Sequence, residues 1–357
     1  MFNLPKNIYS GEYSSGGHVQ GIAVDAAHGF VYYSFTTMLL KTDLFGDPLG
    51  SVIRLAGHLG CITYDVENNK VYGSLELKHD AIGQGIINKT GWDPSDEDSF
   101  YLVEFDCAAI CEMNMDAESD GVMRAIYLCD VVKDYSQIDE VSKKKHRYGC
   151  SGIDGTGLGV PFGATDAKKK IMVAYGIYSD VDRQDNDYQI ILQYDRDDFN
   201  RYAKPLNQQN PHKSGPEQYE EKYFFYTGNT TYGVQNLEYD EYSGNWFLAV
   251  YCGIKKEFEN FPLFFIDGKK APFEKELLGR EAERGLVLAS AQLGECGKQD
   301  GIYGSRFPHG STGMASIGDG TFYFAHSGAN KENGKFYTNL VKYSYSPNNE
   351  ALFEKEE

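Results

Sequence analysis

The sequence predicts an all-β fold built from repeated units. Its 357 residues include 27 tyrosines, 21 phenylalanines and 39 glycines, a balance that favours strands and tight turns over helices. The phrase GHVQGIAVD (17–25) returns as GHLGCITYD (57–65), and both copies run on into an aromatic strand. Related phrases occur further along the chain. Recurrence of this kind is typical of repeat architectures.

Each repeat contains an aspartate that we interpret as the start of a turn between two strands. These aspartates are Asp25, Asp65, Asp154, Asp240 and Asp319. Their successive spacings are 40, 89, 86 and 79 residues. A constant phrase separated by insertions of different length predicts five units of one architecture.

The strands of each unit follow the same order. The first four units offer GIAVD, FVYYSF, LLKTDL and SVIRLA; CITYD, KVYGSL, FYLVEFD and MRAIYLC; CSGID, KIMVAYG, YQIILQYD and KYFFYTG; and VQNLEYD, NWFLAVY, LFFIDG and GLVLAS. The fifth unit offers only GMASI, TFYFAHS and NLVKYSY. We predict that NIYSGEYS (7–14) supplies its missing outer strand, because a ring closed in this way leaves no exposed sheet edge.

Five four-stranded units closed by an N-terminal strand resemble a β-propeller, and the resemblance covers the whole chain as one domain. The phrases GHVQGI, HRYGCSGIDG and NTTYGVQNLEYD are similar to those of a bacterial propeller family without an assigned activity, so this resemblance implies a fold and no function. The predicted blades are residues 15–57, 58–130, 146–228, 231–290, and 309–345 together with 7–14. Six blades are the alternative, if a long insertion contains an atypical blade.

Composition excludes several classes of partner. With 34 basic and 52 acidic residues the formal net charge is −18, and no basic stripe is present that could neutralise phosphates, so we expect no nucleic-acid binding. No segment approaches the roughly 18 apolar residues of a membrane span, and the N-terminus lacks a signal-peptide core. The seven cysteines are scattered without a CxxC pair. We therefore expect a soluble protein of the reducing cytoplasm without a membrane partner.

One face of the ring is the expected location of a site. In propellers, as the resemblance implies, the loops that lead into the innermost strands share a face with the loops that join the second and third strands. Here these latter loops include the long insertions 74–99, 176–187 and 251–261, whereas the turns on the other face are short. Elaborate loops over one mouth of a rigid scaffold are typical of a binding site.

Four residues at this face are candidates for catalysis. His18 and His58 hold equivalent positions in the first two repeats, and HRYGCSGID places His146 and Tyr148 before the third inner strand. We expect His18 and His58 to lie close together at the channel mouth. Imidazole and phenol groups there could transfer protons, and imidazole could bind a divalent metal. The alternative is that each histidine binds a buried backbone carbonyl between blades.

Further side chains at the same face suit a polar ligand. The candidate substrate-binding residues are Gln20, Arg147, Tyr232, Gln235, Asn236, Arg306 and His309. A guanidinium offers a planar fork for a carboxylate or a diol, and amides hydrogen-bond hydroxyl groups. The alternatives are structural salt bridges for the arginines and blade-to-blade hydrogen bonds for the amides.

The segment NMDAESDG (114–121) is a candidate calcium loop. Asp116, Glu118 and Asp120 match its opening pattern, but Tyr127 stands where the loop requires a glutamate. The alternative is a solvated acidic turn. A divalent metal, as calcium here or as a histidine-bound ion at the mouth, is therefore the only cofactor that the sequence suggests.

The residue pattern favours acid–base chemistry on a small polar molecule. No nucleophile elbow, phosphate-binding loop or HExxH motif is present. Glu76 and Glu238 are the only acids near suitable strand ends, which argues against a two-carboxylate glycosidase. We expect the mouth to bind a sugar or sugar acid and to transform it as a lyase, epimerase or hydrolase. The alternative is a non-catalytic propeller that recognises a glycan or a protein.

Overall fold

Five β-sheets stand around a common axis. The computed structural model describes residues 3–14, 17–55, 57–92, 95–140, 142–280, 282–299, 301–349 and 351–357. The inner strand of each sheet contacts the inner strands of the next and the previous sheet, and the fifth contacts the first. The chain is therefore a five-bladed β-propeller. This confirms the predicted fold class, and the six-bladed alternative is wrong.

The first two blades follow the predicted strand order from the axis outwards. Blade 1 consists of Val19–Asp25, Phe30–Phe35, Met38–Asp43 and Pro48–Ile53, extended by the short strand Met115–Asp116. Blade 2 consists of His58–Asp65, Lys70–Leu77, Ser99–Asp106 and Met123–Tyr127.

The other three blades contain additional strands at their outer edges. Blade 3 consists of Cys150–Gly159, Lys170–Ile177, Tyr188–Tyr194 and Glu221–Tyr226, then Arg284–Val287 and Phe273–Glu276. Blade 4 consists of Thr231–Asp240, Asn245–Tyr251, Leu263–Ile266, Tyr303–Ser305 and Glu295–Cys296. Blade 5 consists of Met314–Ser316, Thr321–Ala329, Phe336–Tyr345, Asn7–Tyr9 and Phe353–Lys355.

The N-terminal segment closes the ring as predicted. Asn7–Tyr9 pairs antiparallel with the third strand of blade 5, where Ile8 lies opposite Leu340. Tyr13 forms a further bridge to Phe336. This arrangement confirms the pairing predicted for NIYSGEYS, with residues 15 and 16 outside the described part of the chain.

The predicted fourth strand of blade 4 is correct only at its end. The first part of GLVLAS belongs to Arg284–Val287, which pairs in parallel with the outer strand of blade 3, whereas Ser290 forms an antiparallel bridge to Ile266 of blade 4. Tyr303–Ser305 takes the place of the predicted strand in blade 4. The physical reason is apolar burial, because Leu277 and Val287 pack in one cluster with Phe224 of blade 3.

The turn aspartates are confirmed in four repeats. Asp25 Oδ1 accepts hydrogen bonds from the backbone N–H groups of Ala27 and His28 at 3.2 and 3.0 Å. Corresponding bonds to the chain two or three residues further on are made by Asp65, Asp240 and Asp319. Such Asx turns fix the hairpin between the first two strands of a blade.

Asp154 is the exception, since it lies inside the inner strand of blade 3 and not in a turn. That strand continues through the glycines of GTGLG to Gly159, although a glycine-rich stretch is by itself a turn signal. A Cβ atom on Gly157 would lie 2.7 Å from the Leu237 carbonyl oxygen and 2.8 Å from the Trp246 ring. The glycines therefore permit close packing of blades 3 and 4.

The core is divided among the blade junctions. Five clusters of buried apolar side chains lie between blades 1 and 2, 2 and 3, 3 and 4, 4 and 5, and 5 and 1. Each blade thus buries both faces of its sheet against its neighbours. The scaffold that carries the loops at the mouth is therefore packed around the full ring.

In the described ranges, three α-helices and a short 3₁₀ turn lie in the insertions. They are α1 (Ala81–Thr90), α2 (Cys129–Ser136), α3 (Asp197–Tyr202) and the turn Arg147–Gly149. Helix α1 lies between the second and third strands of blade 2, and the Asp80 carboxylate caps its N-terminus. Among the described residues, no helix has the length and apolar character needed to cross a membrane.

Candidate functional site

A pocket of about 350 Å³ occupies the predicted mouth of the ring. Blades 1, 2, 3 and 4 supply its polar lining, and helix α1 covers one side. Of the candidate residues, the pocket brings together His18, Gln20, His58, Tyr232 and Gln235. The equivalent placement of two histidines by the repeat therefore does bring both imidazoles to one cavity.

His58 lies between two carboxylates. Its Nδ1 atom is 3.2 Å from Asp154 Oδ1 and 3.7 Å from Glu76 Oε2. Both acids are buried, and Glu76 Oε1 also accepts a hydrogen bond from the Ile153 backbone N–H. Because Nδ1 faces two acceptors, it carries a proton, and Nε2 is the ring nitrogen that remains for a ligand.

Lys78 completes this charged cluster. Its Nζ atom is 2.7 Å from Glu76 Oε2 and donates a hydrogen bond of 2.8 Å to the Ser151 carbonyl oxygen. A longer ion pair of 3.5 Å joins it to Asp80, the capping residue of helix α1. The ammonium therefore links the carboxylates of the mouth to the helix that covers it.

The environment of His58 favours its charged form. Burial opposes protonation, but the hydrogen bonds and charges of Asp154 and Glu76 outweigh it and raise the pKa of His58 to about 9. His58 is therefore an imidazolium at neutral pH.

His18 lies in the opposite electrostatic situation. Burial, the positive charge of His58 and that of Lys89 all lower the pKa of His18. Its Nε2 atom is 3.1 Å from the Tyr251 hydroxyl and 3.4 Å from the Gln20 amide nitrogen. Since an amide N–H can only donate, Nε2 presents a lone pair. His18 is therefore a neutral imidazole at pH 7.

The amide and phenol candidates of blade 4 have different positions. Tyr232 lines the pocket and is 41% exposed. Gln235 donates a hydrogen bond of 3.2 Å to Asp154 Oδ2 and so holds that carboxylate beside His58. Asn236 is fully buried and donates to the Gln20 carbonyl oxygen at 2.8 Å. Asn236 thus makes a blade-to-blade hydrogen bond, which was the alternative to binding a ligand.

The candidates of the third repeat do not reach the pocket. His146 Nδ1 donates to the Tyr135 carbonyl oxygen at 2.5 Å, and Arg147 Nη2 forms an ion pair of 2.6 Å with Glu283. The Tyr148 hydroxyl, which is buried, also donates to Glu283. The expected position is wrong because the 3₁₀ turn precedes the strand, which starts only at Cys150.

Two further candidates lie outside the pocket lining. Arg306 is exposed and pairs with Glu259 and Glu295 at 2.6 and 3.1 Å. His309 stacks on His326 with ring centroids 3.7 Å apart. Both residues therefore form protein contacts of their own, and neither belongs to the lining of the mouth.

The carboxylates of the predicted calcium loop do not converge. Asp116 pairs with Arg54 at 2.8 Å, and Asp120 accepts a hydrogen bond from the Asp116 backbone N–H at 2.7 Å. Glu118 accepts one from the Gln208 backbone N–H at 2.9 Å. Each carboxylate contacts a different protein group, inside the loop or outside it, so the three do not share one ligand position.

One group in the described part of the chain has the ligand types of a metal site. Potential ligand atoms of His58, Glu76 and Asp154 all lie within 4.8 Å of one another. However, the Lys78 ammonium lies in direct contact with Glu76. The two carboxylates thus already face two cations of the protein, and a divalent ion would add charge beside an ammonium. The cluster of His58, Glu76 and Asp154 is therefore better suited to a protonated imidazole than to a divalent metal ion.

A second cavity, of about 270 Å³, lies at the other end of the inner strands. It is lined by turn residues such as Asp25 and by Glu238, which accepts a hydrogen bond from the Ser316 backbone N–H at 2.8 Å. Burial raises the pKa of Glu238 to about 8. Glu76 and Glu238 therefore line different cavities and do not form a catalytic carboxylate pair.

The sequence analysis misses four charged or phenolic members of the pocket. It places Asp154 in a turn and assigns no role to Lys78, Lys89 and Tyr251 within the long loops. One signal was available: Glu76 and Lys78 stand two residues apart at the end of an apolar strand. Residues at that spacing point to the same face, so they predict a buried ion pair.

Comparisons with known proteins add little to this description. No protein-family model matches the chain, and no curated protein matches it. Among solved structures, a functionally unknown protein from Desulfotomaculum acetoxidans DSM 771 aligns at 9% identity and a TM-score of 0.36, covering 97% of this chain and 71% of the other. The holo PQQ domain of pyranose dehydrogenase from Coprinopsis cinerea aligns at 11% and 0.39, covering 90% and 81%.

A third solved structure, hydrazine synthase from Kuenenia stuttgartiensis, aligns at 10% identity with a TM-score of 0.33. The alignment covers 94% of this chain and 65% of the other. Similarities this distant do not indicate a function.

Proposed function

We propose that the mouth pocket binds a small hydroxylated acid of the sugar-acid class and transforms it by proton transfer. The observation that carries this proposal is the pair of histidines in one pocket. His58 faces two carboxylates and His18 faces the neutral groups of Tyr251 and Gln20, so their pKa values shift in opposite directions. Titratable groups pushed apart in this way are the usual mark of a base and an acid that work together. A neutral His18 and a protonated His58 are available at the same pH.

The reaction that uses both groups is a β-elimination. The neutral His18 imidazole takes the proton from the carbon beside the substrate carboxylate, and the electron pair of that C–H bond forms a C=C double bond. The C–O bond at the neighbouring carbon breaks, and His58 Nε2 protonates the leaving oxygen. Solvent then restores both protonation states.

The neighbouring residues support these roles without reacting. Asp154 and Glu76 face Nδ1 of His58 and stabilise its positive charge, as a carboxylate does behind a catalytic histidine. Burial raises the pKa of Tyr251 to about 12, so its phenol remains a hydrogen-bond donor beside His18. Gln20 and Tyr232 offer further polar groups to hydroxyls of the ligand.

Turnover of a panel of uronic and aldonic acids by the full chain tests this proposal. Formation of an unsaturated acid is followed by ultraviolet absorbance. We expect His18→Gln and His58→Gln each to lower turnover by about 10²- to 10⁴-fold, the usual contribution of a general acid or base. His309→Gln, outside the pocket lining, is the matched control and should turn over like the parent.

Two results would contradict the proposal. One is unchanged turnover in both pocket variants. The other is binding of an acid from the panel without any conversion, which would favour a non-catalytic propeller that recognises a glycan.

A further inference from the structure

The mouth pocket has two unlike walls. The blades contribute the ionisable and amide groups around His18 and His58. Helix α1 contributes Ala81, Ile82, Gly85 and Ile86, which follow one side of the helix, and Lys89 in its last turn. Residues one turn apart share a helix face, so the first four residues form a continuous apolar surface.

The two glycines inside α1, Gly83 and Gly85, differ in their surroundings. Gly83 is packed against the Lys78 carbonyl oxygen, which a Cβ atom would strike. A Cβ atom on Gly85 would meet no other atom within 4 Å. Glycine weakens a helix interior relative to alanine, and no protein neighbour requires it at position 85. The space beside Gly85 opens into the pocket.

The lining also has a charge preference. Lys78 faces Glu76 and Asp80, and Nδ1 of His58 faces Asp154 and Glu76, so the positively charged His58 presents its Nε2–H as a donor for a ligand. An anionic group on the ligand is therefore favoured near the blades. Hydroxyl groups placed against the helix would lose their hydrogen bonds to water without gaining others.

We infer that the ligand is an amphipathic hydroxy acid: its polar, anionic end meets the histidines and an apolar substituent packs on Ile82, Gly85 and Ile86. This inference rests on the proposed function and narrows its substrate class. It makes Gly85 a specificity-determining residue, because the missing side chain leaves room for the substituent. A sugar acid with an aryl group at its anomeric oxygen has this chemistry.

Calorimetric titration of the full chain with two probes tests the inference. D-glucuronate carries the polar end alone, and phenyl β-D-glucuronide adds the apolar ring. We expect the parent to bind the phenyl probe at least about tenfold more tightly, as burial of an aromatic ring implies. Gly85→Leu should abolish this preference, because the leucine side chain occupies the space of the ring.

The matched control is Gln84→Leu, which places the same side chain at an exposed position outside the pocket lining. It should keep the preference of the parent, and circular dichroism and thermal melting verify that both variants fold. Equal affinity of the parent for the two probes, binding of neither, or an undiminished preference in Gly85→Leu would overturn the inference. The proposed function fails separately, through unchanged turnover in the histidine variants.

Discussion

His18 and His58 carry the same imidazole at equivalent places of the repeat, yet their surroundings give them different proton affinities. His58 has two carboxylates within 3.7 Å of Nδ1, whereas His18 contacts the neutral groups of Tyr251 and Gln20 and lies near the positive charges of His58 and Lys89. The repeat therefore fixes where the imidazoles lie, and the residues that differ between blades decide what each one does.

Glu238 provides a second case in which surroundings set the protonation state, and it yields a stability prediction. Its pKa is raised by burial from 4.5 to about 8, so the folded chain binds this proton more tightly than the unfolded chain does. The resulting stabilisation is complete below pH 4.5 and is lost as the pH rises to about 8. Glu238→Gln, which imitates the protonated form, should therefore stabilise the chain relative to the parent at pH 8 and hardly at pH 4.5.

Thermal melting at the two pH values measures this difference. Glu332→Gln changes an exposed carboxylate and serves as the control. A Glu238→Gln variant that melts like the parent at both pH values would show that Glu238 is charged in the folded chain.

At the scale of elements, the inner hairpins could be predicted from the sequence and the outer strands could not. Hairpins depend on local chemistry, such as the turn aspartate Asp25 and the aromatic strand after it. The placement of Arg284–Val287 depends instead on an apolar surface of blade 3 distant in sequence. Local patterns carry no information on such a choice between two sheets.

The candidate site also contains residues that the sequence predicts and residues that it does not. Its histidines follow from the repeat, but Asp154 follows from a strand that continues through GTGLG. A glycine-rich stretch is a turn signal by itself, and only its close packing against Leu237 and Trp246 makes it a strand. The acid beside His58 could therefore not be placed before the blades were assembled.

At the scale of the whole molecule, the ring is closed by strands from both ends of the chain. Asn7–Tyr9 and Phe353–Lys355 both pair with the third strand of blade 5. Ile8 is buried in the cluster between blades 5 and 1. The N-terminal strand therefore contributes to the packing of two blades and protects a sheet edge.

Removing the buried contact of this strand should destabilise the ring. Ile8→Ala is expected to lower the free energy of unfolding by about 2–5 kcal/mol, as deletion of a buried isoleucine side chain does. Lys6→Ala, at an exposed position just before the strand, is the control and should change it little. Denaturant unfolding measures both, and equal stability of the two variants would contradict closure by this strand.

The central claim is that one pocket holds a neutral and a charged histidine at the same pH. Titration of the imidazole resonances by NMR tests it directly, with His18→Gln and His58→Gln used to assign the two signals. We predict that His18 titrates below 6.5 and His58 near pH 9. Two histidines that titrate together near the ordinary imidazole value would contradict the claim.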